Sequence, residues 1–182
     1  MFILFAVPIG LVLGYLIGGR PDRLADLRFE WAWLAVAGLA VQIVLFSSPI
    51  GESLGGGVGP AIYVASTGAV LVAVWRNLSI PGLPFVALGA ISNLAAIVAN
   101  EGVMPTTAAA LAAAGLSPRD GFSNSAIRDD PALAPLTDVF ALPAWLPFAN
   151  VFSIGDVVIA LGIVVVIALG MRDGSRAVDS TG

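Results

Sequence analysis

The last apolar run of the chain, Val151 to Met171, carries a single charge in 21 residues, and four earlier runs share its character over about residues 2–18, 31–46, 60–75 and 83–100. An α-helix rises about 1.5 Å per residue and needs roughly 20 apolar residues to cross the hydrocarbon core of a bilayer. The composition agrees with that reading. Of 182 residues, 58% are hydrophobic and 11% charged, where an ordinary soluble domain has about 25% charged. The pattern predicts an all-α fold: a polytopic membrane helix bundle of five transmembrane helices. It forms a single integral membrane domain over 1–182, with a long outward loop, 101–150, before the last helix and a disordered tail, 172–182.

The arginines give this bundle a direction. Arg20, Arg23, Arg28, Arg76, Arg172 and Arg176 fall on one side of a five-span arrangement, and Arg119 and Arg128 on the other. The positive-inside rule then predicts a cell-membrane protein with its N-terminus outside and its C-terminus cytoplasmic. Trp31 and Trp33 sit at the head of the second run, where aromatic belts lie. Gly10, Gly14 and Gly18 recur every fourth residue and predict a close helix contact. Gln42, the one interior polar side chain of its run, predicts an interhelical hydrogen bond, and Ser66 and Thr67 predict bonds back to their own helix. The Gly55-Gly56-Gly57 run lacks a P-loop lysine and reads as a loop.

The chain holds no Cys and no His, and all eight of its basic residues are Arg. Thiolate nucleophiles, histidine triads, the usual zinc sites and Schiff-base lysines are thereby excluded. No metal and no cofactor is expected. A net charge of −4 with no basic stripe excludes nucleic acid as a partner. Acid–base work at neutral pH falls to carboxylates of raised pKa or to bound water.

Two carboxylates stand out, Asp138 in Leu136-Thr137-Asp138-Val139-Phe140 and Asp156 in Phe152-Ser153-Ile154-Gly155-Asp156. Both fall on the outward face of the five-span arrangement. An intramembrane carboxylate is costly and therefore a candidate functional group. The same Asp156 has a structural reading, because Ser153 and Asp156 form an S-x-x-D pattern that caps a helix start. Asn93, within the fourth run, and Asn100, at its exit, are candidate supporting polar residues along with Ser153; for Asn93 a hydrogen bond to another helix is the simpler expectation.

The connection between the fourth and fifth runs is too long for a plain turn. Thr106 and Thr107 predict the cap of an Ala-rich helix reaching Ala114, stopped by Gly115 and Pro118. Pro143, Trp145 and Pro147 interrupt an apolar stretch from Val139 to Phe148 and predict an interfacial lid.

The whole chain, with its Asn100-to-Pro105 turn and its Phe152-to-Asp156 motif, resembles a family of small bacterial membrane proteins catalogued as a domain of unknown function, which implies no activity. Its C-terminal half also resembles lipoprotein signal peptidase (signal peptidase II), an aspartyl protease of the membrane. The resemblance rests on Gly89-Ala90-Ile91-Ser92-Asn93-Leu94, on Leu136 to Phe140 and on Phe152 to Asp156 with Gly162 downstream. It implies Asp138 and Asp156 as a catalytic pair and Asn93 as the supporting asparagine. Ala95 to Ile97 depart from the peptidase pattern, which has Asp-Arg there. Two functions stay open: an aspartyl hydrolase cutting a membrane-anchored peptide, and a non-catalytic subunit or small transporter working with a partner membrane protein. In both the lipid bilayer is the surrounding medium.

Overall fold

A computed structural model describes residues 2–47, 57–117 and 125–172. The Gly55-Gly56 pair, Arg119 and the tail beyond Arg172 lie outside the described residues. Among the described residues six α-helices follow one another: α1 Ala6–Leu16, α2 Ala32–Ser47, α3 Val58–Arg76, α4 Leu83–Ala99, α5 Ala108–Ala113 and α6 Ile154–Gly170. The described residues between α4 and α6 include four short strands: β1 Met104–Thr106, β2 Ser125–Ile127, β3 Phe140–Ala141 and β4 Val151–Phe152. β1 and β2 pair in parallel, and β3 and β4 antiparallel.

The expected fold class is corrected by these elements. Among the described residues, only α3 is long and apolar enough to cross a membrane, and the apolar helices at Phe2–Leu16, Ala32–Phe46, Leu83–Ala99 and Ile154–Gly170 are shorter. The five transmembrane helices are therefore not found, and a mostly helical fold with two small sheets takes the place of the all-α bundle. Hydropathy runs on where the backbone stops. Residues Phe2–Phe5 form a 3-10 turn rather than α-helix. α1 ends at Leu16 because Gly18, at φ +80°, turns the chain so that the N–H groups of Gly18 and Gly19 return to the Tyr15 and Gly14 carbonyls, at 3.0 and 2.8 Å. At the other end, Val151 and Phe152 are spent on a strand, and α6 begins only after Ser153.

Small residues decide which helices meet. A Cβ on Gly10 would stand 2.9 Å from Ile167, and one on Gly14 would collide with the Met171 sulfur, so α1 lies against α6 along the glycine face. Gly18 takes no part in that face; its position is open and its work is to end the helix. α4 and α6 run antiparallel, with Gly89 against Gly155 and Gly82 against Gly162. Gly38 brings α2 onto the Ser66 carbonyl of α3, and Gln42 Nε2 donates to Thr67 Oγ1 at 3.1 Å. Thr67 thus serves the neighbouring helix, whereas Ser66 bonds back to the Tyr63 carbonyl at 3.0 Å.

The connection ahead of α6 is built as a small platform. Thr107, not Thr106, caps α5 by accepting the Ala110 N–H at 3.1 Å. Ala110, Leu111 and Ala114 bury themselves against Val151 and Ala141, so α5 rests on the β3–β4 ladder. That ladder brackets residues 142–150, closed by the Leu142 N–H donating to the Asn150 carbonyl at 2.8 Å. At the tip of this segment Trp145 and Phe148 are exposed.

Candidate functional site

Asp156 is the third residue of α6 and closes a capping box with Ser153. The Asp156 N–H donates to Ser153 Oγ at 3.0 Å, and the Ser153 N–H donates to Asp156 Oδ2 at 3.2 Å. Asn93, on α4, completes a ring. Its Nδ2 donates to Asp156 Oδ1 at 2.8 Å, and its Oδ1 accepts from the fully buried Ser153 hydroxyl, also at 2.8 Å. The ring exists because Gly155 has no side chain; a Cβ there would overlap Asn93 Oδ1. Gly89 faces the Gly155 carbonyl in the same way and lets the two helix backbones close.

Asp138 arrives from the platform. A 3-10 turn, Ala134–Leu136, carries Pro135 as its second residue and ends where Thr137 Oγ1 donates back to the Ala134 carbonyl at 2.8 Å. The next residue is held by its backbone. The Asp138 N–H donates to the Pro105 carbonyl at 2.9 Å, and Thr106 Oγ1 donates to the Asp138 carbonyl at 2.9 Å. Thr106 and Asp138 also form a parallel bridge beside β1 and β2. The carboxyl group itself is buried, with a long contact of 3.4 Å from Ser125 Oγ.

Burial pushes the Asp138 carboxyl up to about 7, the negative charge of Asp156 adds to that rise, and the Ser125 hydroxyl opposes it. The charge of Asp156 therefore reaches Asp138. Tyr63, on α3, is within electrostatic reach of both and stands edge-on to Phe46 at 5.0 Å between ring centres. One carboxyl group in a hydrogen-bonded ring and a second that is buried with a single long hydroxyl contact have the parts of an acid–base pair.

Of the sequence candidates, Asn93, Ser153 and Asp156 come together in one hydrogen-bonded ring, and Asp138 is carried toward that ring by the pairing of Phe140 with Phe152, with the charge of Asp156 adding to the rise of its carboxyl. Asn100 does not join them. It is buried and holds the platform to the bundle: its Nδ2 donates to the Ala96 and Ala132 carbonyls at 2.8 Å each, and its Oδ1 accepts the Ala132 N–H at 3.0 Å. Tyr63 and Ser125 were not anticipated. An aromatic inside an apolar run and a serine in a polar loop carry no pattern that would have singled them out.

No curated protein and no solved structure matches the chain. A family model described as "Family of unknown function (DUF5317)" matches residues 26–168, a stretch that includes Tyr63, Asn93, Asp138, Ser153 and Asp156. With that match spanning most of its length, the chain belongs to the DUF5317 family.

Proposed function

We propose that this protein is a membrane hydrolase in which Asp138 and Asp156 act as an acid–base pair on a membrane-anchored peptide. The observation that carries the reading is the convergence of the platform and the mouth of α6, which brings Asp138 into the electrostatic field of Asp156. Asp156 accepts hydrogen bonds on both oxygens, as an ionised carboxylate does. It takes a proton from water as that water attacks the peptide carbonyl. Asp138, protonated near neutral pH, gives its proton to the departing amine. The resemblance to signal peptidase II supports the choice of these two residues as the pair.

Membrane placement is supported by the outer surface of the bundle. Only 17% of the apolar window of α3 is buried, unlike the core helix of a soluble protein. Large apolar side chains stay exposed on other helices too, among them Val12 and Leu16 on α1, Val36 and Ile43 on α2, and Phe85 and Leu88 on α4. A water-exposed apolar surface of that extent is the mark of lipid or protein contact. The arginine distribution supports a cell-membrane orientation with the acid pair facing outward.

The capping box favours a second reading, a non-catalytic subunit or transporter in which Asp156 only starts a helix. One experiment separates the two. Purified protein in lipid is incubated with membrane-anchored lipoprotein precursors, and the parent is compared with Asp138→Asn and Asp156→Asn by mass spectrometry. The hydrolase reading expects new termini from the parent alone; equal product from all three, or none from the parent, leaves the non-catalytic reading.

A further inference from the structure

The end of the bundle remote from the acid pair is a rim of tryptophan and arginine. Trp31, Trp33 and Trp75 are 50%, 69% and 61% exposed there. The same end carries Arg20, Arg23, Arg28, Arg76 and Arg172 against Asp22, Asp26 and Glu30. Among the described residues the acid-pair end has the opposite balance, Glu101, Asp129, Asp130, Asp138 and Asp156 against Arg128.

This rim is built rather than loose. The 3-10 turn Pro21–Asp26 is seated on the end of α6: Leu24 and Leu27 stand against Gly170, and Arg23 donates to the Arg172 carbonyl. The Arg20 N–H donates to the Met171 carbonyl at 2.8 Å. Asn77, buried at the end of α3, fixes the approach to α2 by donating to the Glu30 carbonyl and accepting the Glu30 N–H, both at 2.8 Å. Arg76 pairs with Glu30 at 2.8 Å and lies over the Trp31 ring at 6.0 Å. Two of the three acids are thus matched within the rim, Glu30 by Arg76 and Asp22 by Arg20 at 3.3 Å. Arg28 is left exposed beside Phe29 and Trp31.

Directly above this rim the helices expose an apolar flank, with Tyr15 and Leu16 on α1, Val36 on α2 and Val72 on α3. Tryptophan settles at the head-group level of a bilayer, and clustered arginine beside it meets anionic lipid. We infer that the Trp31–Trp33–Trp75 rim, with Arg20, Arg23 and Arg28, binds the phosphate head groups of anionic lipids. The inference rests on the membrane placement proposed above and is independent of the acid pair. Charge sign selects the occupant: the rim is cationic and the opposite end anionic, so anionic lipid favours one end of the molecule only.

The test uses the full chain carrying Trp145→Phe, which leaves three tryptophans, all at the rim. The protein is reconstituted in phosphatidylcholine vesicles containing an equal fraction of either acyl-brominated phosphatidylglycerol or acyl-brominated phosphatidylcholine, and bromine quenching of tryptophan is read. Brominated phosphatidylglycerol should quench about twofold more than brominated phosphatidylcholine, and the excess should fade as salt rises from about 0.1 to 1 M. Arg20→Gln, Arg23→Gln and Arg28→Gln together should bring the two lipids level. Equal quenching by both lipids in the parent overturns the head-group inference, as does an excess that salt leaves unchanged. Quenching by neither lipid overturns the membrane placement itself.

Discussion

Asn93 and Asp156 are joined across two helices by an amide–carboxylate hydrogen bond of 2.8 Å, and the same amide accepts the Ser153 hydroxyl through its other end. One side chain of α4 thereby satisfies both side chains of the capping box that starts α6.

Replacing Asn93 by Leu should destabilise the protein by about 1 to 3 kcal/mol, because it strands the Ser153 hydroxyl and removes one of the hydrogen bonds of a partly buried carboxylate. Chemical denaturation in detergent measures the loss. Ser153→Ala, which removes the cap, should cost about 1 kcal/mol. In the double variant the costs should fall short of their sum, since the two residues share one network. Full additivity would mean that the ring is not an energetic unit.

Asp138 makes stability depend on pH. Its folded carboxyl titrates near 7, above the ordinary 3.8, so the native state holds this proton across a range in which the unfolded chain has released it. The stabilising contribution is fully present below about pH 4 and is lost as pH rises through 7, at about 1.4 kcal/mol per unit of difference. Melting at pH 4, 5.5 and 7 should show stability attributable to this residue falling along that series. Asp138→Asn, which cannot ionise, should flatten the trend. A variant with the same slope as the parent would show that other groups set it.

Gly14→Leu should lower the yield of folded protein and its melting temperature, because the position faces Met171 and the α6 backbone with no room for a side chain. Val12→Ala, two residues away and exposed, is the control and should change little. Thermal melts of the two in one detergent decide the matter; the reverse order would mean that α1 meets α6 through another face.

The sequence made the ends of elements hard to read and their chemistry easier. The Ser153-x-x-Asp156 spacing announces a capping box because that motif is local, needing only the residues it contains. The lengths of the apolar helices are not legible in the sequence, for the converse reason. Hydropathy continues through Phe2–Phe5 and Val151–Phe152, but a 3-10 turn and a strand pairing with Phe140 and Ala141 take those residues out of α-helix. Asn93 and Asn100 look alike as polar residues in or near one helix. Only tertiary geometry sends the first to Asp156 and the second to the Ala132 backbone. Tyr63 gains its place through the packing of α3 beside α4, which no spacing within its own run records.

The position of Asp138 is set by main-chain atoms: its N–H on Pro105, its carbonyl under Thr106. Nothing in that anchorage consults the side chain, so location and chemistry are inherited separately at this residue. A lineage could exchange the acid for an amide or a hydroxyl and leave the platform standing, so that the proposed chemistry would be switched off, or on, in a single codon change. In such a scaffold, catalytic and inert relatives would be expected to share one architecture, and the side chain at this one position would tell them apart.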